Sequence, residues 1–224
     1  MVLSVGSPAP AFRVTNHAGK EVTLDDLNGK KVWLSLYRAS PCPLCNLQVS
    51  QVKARFEELS AAGVEVVSVF ESTPEELAMY AGKQATENFP VYVPAEGSLP
   101  DFPLYQAYSR RRELFGSVYG LGPCYHNCVD CRFPPALCKF GANPSFGCPL
   151  MAPSGFCALM CSCSGEGGGR VFSMPTDILI DEDGKLVKIF HGTYMGQHIP
   201  WADVETFAGI TNPTEGASMV RDTT

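Results

Sequence analysis

Two cysteines three positions apart, Cys42 and Cys45, sit in the stretch Ser40-Pro41-Cys42-Pro43-Leu44-Cys45-Asn46-Leu47. A C-x-x-C pair can open and close as a disulfide, or supply two of the four ligands of a tetrahedral zinc site. Its setting favours the first. The run from Lys31 to Tyr37 reads as a buried strand, and Val49, Val52, Phe56 and Leu59 follow at helical spacing. A cysteine between strand and helix meets unpaired backbone N–H groups and the positive end of the helix dipole. Both favour the thiolate, the nucleophilic form, and pull the thiol below its free value near ~8.5. The second sulfur lies one turn on, within reach of the first. Cys42, nearer the exposed helix start, is the candidate nucleophile for a disulfide sulfur or a peroxide oxygen. Cys45 then resolves the product, and a cellular reductant reopens the Cys42–Cys45 disulfide.

The other cysteines form a second constellation. Cys124-x3-Cys128-x2-Cys131 is followed by Cys138, and Cys148 by Cys157-x3-Cys161-x-Cys163, enough thiols for two four-cysteine sites. Thiolates are soft ligands that select zinc, iron–sulfur clusters or copper(I). C-x3-C-x2-C can hold three irons of a 4Fe–4S cluster. It is also the spacing of radical S-adenosylmethionine enzymes, whose barrel nothing else here suggests. His126 is a candidate extra ligand, although a lone loop histidine is usually solvated. Disulfides and free thiols are the competing readings. The stretch is rich in glycine and poor in periodic apolar positions, so it needs crosslinks of some kind to hold a shape.

The elements that must position these groups are legible on either side. Phe12–Asn16 and Glu21–Leu27 read as a hairpin around Gly19, packed ahead of the Trp33 strand. The helix after Cys45 is expected over 46–62, with Gly63 just past its end. Val64–Phe70 reads as a second central strand. Thr73-Pro74-Glu75-Glu76 has the form of a capping box with proline at the first helical position, opening a helix with Leu77 and Tyr80. A short extended piece covers Phe89–Val93, and 102–115 reads as helix despite Pro103. Regular structure resumes at Val171. Thr176–Asp181, the turn at Gly184 and Lys185–Phe190 make a hairpin, and a last helix is expected near Ala202–Ala208. Strands alternating with helices give an α/β layer architecture. Residues 1–115 and 170–224 would form one domain, interrupted by a cysteine-rich insertion at 116–169.

Composition bounds the function. At 224 residues the chain can bury a proper core. A net charge of -6 argues against a nucleic-acid partner held through phosphates. No apolar run approaches the ~20 residues of a membrane-spanning helix. The first residues lack the basic and apolar regions of a signal peptide, which points to the cytoplasm. In that reducing compartment ten cysteines read as catalytic thiols or metal ligands, a reading that a removed leader would reverse.

Three stretches together resemble the alkyl hydroperoxide reductase/thiol-specific antioxidant group, close to the peroxiredoxin-like proteins. They are the opening hairpin with Gly19, Lys20 and Leu24; Tyr37-Arg38-Ala39-Ser40-Pro41-Cys42-Pro43-Leu44-Cys45-Asn46-Leu47; and Met174-Pro175-Thr176-Asp177-Ile178-Leu179-Ile180-Asp181-Glu182-Asp183-Gly184. His198-Ile199-Pro200 also resembles the tail of such proteins. The resemblance covers about 6–113 and 170–210. It implies a thioredoxin-like fold with a central mixed sheet flanked by helices, and antioxidant thiol chemistry that needs no cofactor. Substrates would be disulfides or peroxides, and the reductant of thioredoxin or glutathione type. It implies that Pro175 is a cis-proline facing the C-x-x-C pair, where it would leave an edge for a substrate strand. The chain also departs from the group. A peroxidase there keeps Thr or Ser three residues before the attacking cysteine, where this chain has Ala39, and Arg where it has Pro175. Those groups donate hydrogen bonds to peroxide as its O–O bond breaks. Arg38 and Ser40 are the nearby candidates to replace them. Two function classes therefore compete: a thiol oxidoreductase, and a zinc- or iron–sulfur-binding sensor on a thioredoxin scaffold. Oligomeric state is not legible in the sequence.

Overall fold

Alternation within the strands dictates how the sheet is built. In β3 (Lys31–Tyr37), Trp33, Ser35 and Tyr37 face one side and Val32, Leu34 and Leu36 the other, all of them buried. A strand covered on both faces belongs in the middle of a sheet. β4 (Val64–Phe70) is of the same kind and runs parallel to β3, from Lys31 opposite Val64 to Tyr37 opposite Phe70. The computed structural model describes residues 3–86, 88–96, 102–108, 173–194 and 196–210. Within them the remaining strands are β1 (Arg13–Asn16), β2 (Glu21–Thr23), β5 (Tyr92–Pro94), β6 (Thr176–Ile180) and β7 (Leu186–His191). They join β3 and β4 in one sheet of order β2-β1-β5-β4-β3-β6-β7. β6 and β7, which follow the cysteine-rich stretch in sequence, thus complete the same sheet as the strands before it. The expected insertion, 116–169, lies outside the described residues, as do 109–115 and Val171.

Five helices flank the sheet among the described residues: α1 (Pro43–Ala54), α2 (Phe56–Ala61), α3 (Pro74–Met79), α4 (Pro103–Ala107) and α5 (Trp201–Ala208). One apolar cluster joins Trp33, Tyr37, Val66 and Leu179 to Val49 and Val52 of α1, Leu59 of α2, Leu77 of α3 and Val204 of α5. The other joins Val32, Leu34, Leu36, Val67 and Ile178 to Leu104 and Tyr105 of α4. Two buried faces, each closed by helices, give the layered α/β architecture expected from the sequence.

β3 and β4 lie where the sequence put them, and Gly63 (φ 78°) and Gly19 (φ 82°) supply the left-handed turns their positions require. The Thr73 side chain accepts from the Glu76 amide and opens α3, which stops at Met79. Other expectations need correcting. The opening hairpin pairs through β1 with β5, at the far side of the sheet from β3. Its second arm ends at Thr23, and Asp25–Leu27 forms a 3-10 turn. The single helix expected over 46–62 starts earlier, at Pro43, and is broken at Arg55 (φ −113°, ψ 9°).

No proline or glycine marks that break. Its cause is tertiary. The Arg55 guanidinium lies 4.6 Å from the Trp201 ring centroid, and its Nη1 pairs at 2.7 Å with the Glu205 carboxylate, which is buried. Nε donates to Glu58 at 2.9 Å. Arg55 therefore ties the α1–α2 junction to α5. Arg55→Met should cost about 2–3 kcal/mol in urea unfolding, somewhat under a fully buried pair because Arg55 is 21% exposed. Lys30→Met, which removes the more exposed Lys30–Glu65 pair, should cost less than about 1 kcal/mol. Equal losses would show that Arg55 is not the tie.

Candidate active site

β3 delivers the chain to the C-x-x-C pair, and the turn after it is held from three directions. Tyr105 of α4 donates its hydroxyl to the carbonyls of Tyr37 (2.8 Å) and Val69 (3.0 Å), fixing the ends of β3 and β4. The Cys42 amide donates to the Ala39 carbonyl at 2.9 Å, closing a tight turn through Ser40 and Pro41. The Ser40 amide donates to the Ser72 hydroxyl at 2.8 Å. From inside α1, the Asn46 side-chain amide donates to the carbonyls of Ser40 (2.6 Å) and Cys42 (2.8 Å). Gln84 donates in turn to the Asn46 side-chain oxygen at 2.7 Å. Buried carbonyls at a helix start need such donors. Asn46 and Gln84 thus serve the site, a role the sequence reading did not assign.

Cys42 is the N-cap residue of α1, with extended backbone, and Pro43 follows at the first helical position. Both cysteines are free thiols and both are fully buried. The expectation that Cys42 is the more exposed is therefore corrected. What separates the two sulfurs is electrostatics. A hydrogen bond from the Cys45 thiol, with the positive charge of Arg38, outweighs burial and lowers the Cys42 thiol to about 6. The nearby amides of Cys45 and Leu44 add smaller favourable contributions. Burial first, then the demand of Cys42 for its proton, pushes Cys45 far the other way. One sulfur is held as thiolate and the other as thiol, as a nucleophile and a resolving partner require.

Arg38 follows β3 directly and is itself buried, with Nη1 3.6 Å from the Cys42 sulfur. Pro175 stands immediately before β6. Because Thr176 pairs with Leu36, Pro175 lies at the end of the sheet where β3 runs into the C-x-x-C turn. Ser40 is paired with Ser72 (Oγ–Oγ 3.1 Å) rather than with the sulfur. Arg38 is thus brought to Cys42 and Ser40 is not. The candidate metal ligands Cys124, Cys128, Cys131, Cys138, Cys148, Cys157, Cys161 and Cys163, with His126, lie outside the described residues. Among the described residues there is no cluster of three metal-ligating side chains, and no helix is long and apolar enough to cross a membrane.

A polar row that the sequence reading passed over lies beneath α1. Ser68, Ser35 and Asp177 stand opposite one another across β4, β3 and β6. Asp177 is fully buried and accepts from Ser35 Oγ (2.6 Å), Trp33 Nε1 (3.2 Å) and the Ile199 amide (2.9 Å). It also pairs with His198 Nδ1 at 3.0 Å. Burial alone would raise its carboxyl, but the His198 charge and these hydrogen bonds leave it below the usual carboxylate range. The available signal was a polar residue on one face of strands otherwise apolar on both.

A strand, a C-x-x-C turn and a helix on a sheet continued by an antiparallel β6–β7 hairpin define a thioredoxin-fold protein. The fold is shared with the crystal structure of Peroxidoxin BcpB from Mycobacterium tuberculosis (TM-score 0.55, 14% identity, covering 94% of this chain and 99% of that one). It is shared equally with Xanthomonas campestris Peroxiredoxin Q (TM-score 0.54, 14% identity, covering 92% and 98%). Residues 5–102 match the AhpC/TSA family. Peroxiredoxin Bcp of Escherichia coli strain K12 is 32% identical over 82 residues, 37% of this chain and 53% of the relative. Thiol peroxidase of Mycobacterium bovis is 30% identical over 118 residues, 53% of this chain and 60% of the relative. The chain spans about half the length of the curated relatives it matches. Its fold is thioredoxin-like, and its sequence over residues 5–102 is similar to the AhpC/TSA family.

Proposed function

We propose that the chain is a thiol-dependent oxidoreductase in which Cys42 attacks and Cys45 resolves. The observation that carries this reading is the split pair, with Arg38 Nη1 3.6 Å from the sulfur that is lowered. The Cys42 thiolate attacks a disulfide, giving a mixed disulfide and a leaving thiolate, or a peroxide, giving a sulfenic acid and the leaving alcohol or water. Cys45 then displaces the second leaving group, forming the Cys42–Cys45 disulfide. A thioredoxin- or glutathione-type dithiol or thiol returns two electrons and restores the pair. The sulfur chemistry itself calls for no cofactor. Pro175, at the same end of the sheet, would border the edge on which a substrate strand lies. The peroxiredoxin and thiol peroxidase names of the matched relatives support this reading, and nothing in them supports a metal sensor as the main role.

Arg38 is the group suited to stand in for the arginine that peroxidases of this group carry where Pro175 is found. With Ala39 in place of the hydroxyl donor, peroxide would have one cation and no adjacent hydroxyl to stabilise charge on its departing oxygen. The reduced protein should therefore open a small disulfide readily and hydrogen peroxide slowly. Stopped-flow oxidation of Cys42 reads both rates. Peroxide reduction faster than disulfide reduction would overturn the preference, and reaction with neither would overturn the thiol reading.

The stretch at 116–169 is proposed as an insertion in one domain, held by its cysteines through zinc, an iron–sulfur cluster or disulfides. If a metal holds it, binding energy is folding energy there, and a chelator should open it to limited proteolysis between Gly116 and Gly169. The flanking pieces, with their own buried strands, should survive. If disulfides hold it, a reductant gives the same cut and the chelator gives none. Resistance to both would show an ordinary apolar core.

A further inference from the structure

A cation tunes a sulfur only as well as it is held beside it. The attraction falls with separation, and solvent does not screen a buried pair, so small displacements count. Arginine is a long side chain with many rotamers, and where its guanidinium comes to rest depends on where its backbone starts. The Arg38 guanidinium stands 3.6 Å from the Cys42 sulfur, and Arg38 itself lies just past the last residue of β3. Two hydrogen bonds pin its backbone there. The Glu71 amide donates to the Arg38 carbonyl at 3.2 Å. One residue earlier, the Tyr37 carbonyl accepts from the Tyr105 hydroxyl at 2.8 Å, and the Val69 carbonyl shares that donor at 3.0 Å. The Tyr37 carbonyl belongs to the planar peptide unit that joins Tyr37 to Arg38. Fixing it fixes the plane from which Arg38 departs.

Tyr105 reaches that peptide from the side of the sheet away from Cys42. Leu104 and Tyr105 of α4 belong to the apolar cluster with Leu36 and Val69, whereas Cys42, Val49 and Val52 belong to the other. The Tyr105 ring is buried, and its single O–H spans two carbonyls at the ends of the two central strands. Docking a helix does not require this, because one acceptor satisfies a buried phenol O–H. Tyr108, three residues on and also buried, shows the simpler use. Its hydroxyl donates at 2.6 Å to the carbonyl of Pro10. Pro10 lies in the segment leading into β1, which β5 and β4 separate from β3. Tyr108 thus docks the end of α4, while Tyr105 docks the same helix and also grips the strands that carry the catalytic turn.

We propose that Tyr105 is a positioning residue: by holding the peptide between Tyr37 and Arg38, it keeps the Arg38 guanidinium against the Cys42 sulfur. The helix on one face of the sheet then governs the readiness of the nucleophile on the other. The inference rests on the thiol reading above. Among the described residues, Cys45 and Arg38 are the titratable and charged side chains that act on the Cys42 sulfur. Tyr105 works through Arg38, so its effect on the sulfur exists only while Arg38 is present.

The test reads the pH midpoint of brief iodoacetamide alkylation at Cys42 in the full reduced chain, beside urea unfolding of each variant. Tyr105→Phe keeps the ring and removes the donor. Its midpoint should rise by about half a unit, part of the roughly 1–3 units a nearby cation supplies. Alkylation near pH ~5, taken relative to the same variant's plateau above about pH 9, should then fall about threefold. Tyr108→Phe removes the other hydroxyl of the helix and should lose stability without moving the midpoint. In an Arg38→Met chain, adding Tyr105→Phe should bring no further shift, because the two residues act as one. An unmoved midpoint in Tyr105→Phe overturns the proposal. So does an equal shift in Tyr108→Phe, or the same added shift in the Arg38→Met chain, since either makes Tyr105 a support of the fold alone. If Tyr105→Phe fails to fold even in sucrose, which favours the compact chain, the hydroxyl is a requirement of folding and the proposal falls as well. Alkylation reads the thiolate whether or not the chain reduces a disulfide. An unaltered chain that alkylates as expected yet attacks no disulfide overturns the thiol reading and leaves the Tyr105 result standing.

Discussion

Cys42→Ser is expected to reduce turnover to the uncatalysed background, because among the described residues the other thiol, Cys45, is pushed toward its protonated form. The informative comparison is at Cys45. Cys45→Ser and Cys45→Ala both lose closure, so each should perform one attack and then stop as a trapped mixed disulfide. They should differ in the attack itself. The leading cause of the lowered Cys42 thiol is the hydrogen bond from Cys45. A serine hydroxyl can still donate and a methyl group cannot. The pH midpoint for attack should stay close to about 6 in Cys45→Ser and rise by about a unit or more in Cys45→Ala, a unit being about 1.4 kcal/mol of lost preference for the thiolate. Trapping followed by mass spectrometry at a series of pH values gives both quantities. Identical midpoints in the two variants would remove Cys45 from the activation of Cys42.

Arg38→Met carries the other large effect. The substitution keeps a long side chain in a buried position but removes the cation 3.6 Å from the sulfur. A cation at that range lowers an acid by about 1–3 units, so its loss should raise the Cys42 midpoint by at least about one. The sign fixes where the difference appears. Below both midpoints the thiolate fraction falls by the ratio of the two acidity constants, so attack near pH ~5 should slow about ten- to hundredfold. Above about pH 9 both forms are ionised, and the rates should converge apart from a small gain in intrinsic nucleophilicity for the more basic sulfur. Peroxide attack should lose more than disulfide attack if, as proposed, Arg38 also stabilises the developing charge on oxygen. A uniform loss at every pH would mean that Arg38 supports the turn and does not tune the sulfur.

How much of this was legible in the sequence depended on whether the cause was local. β3 and β4 appear with the bounds their apolar runs suggest, because strands buried on both faces carry an unbroken signal. The cap at Thr73, the turn at Gly19 and the helix start at Pro43 are local chemistry as well, although the expected helix had been placed a few residues later. The break at Arg55 was not legible, since Trp201 and Glu205 impose it from well over a hundred residues away. The partner of the opening hairpin was hidden for a similar reason, because nothing in β1 names β5. The C-x-x-C pair was legible as a candidate by its spacing, and the departure at Pro175 singled out Arg38, which lies 3.6 Å from the Cys42 sulfur. The burial of Cys42 did not show, because a helix start is exposed unless other elements cover it. The Asp177–His198 pair emerges only when β6 is laid beside β3, which brings Ser35 opposite Asp177.

The most direct measurement is the pH dependence of alkylation at each cysteine of the unaltered, reduced chain. Iodoacetamide is applied briefly, and the modified peptides are resolved by mass. Because both sulfurs are buried, local opening slows them together and leaves their ratio to report the thiolate. The expected result is modification at Cys42 with a midpoint of about 6, and a Cys45 that stays inert well above that pH. Equal rates at Cys42 and Cys45, with one common midpoint near the free-thiol value of ~8.5, would contradict the account.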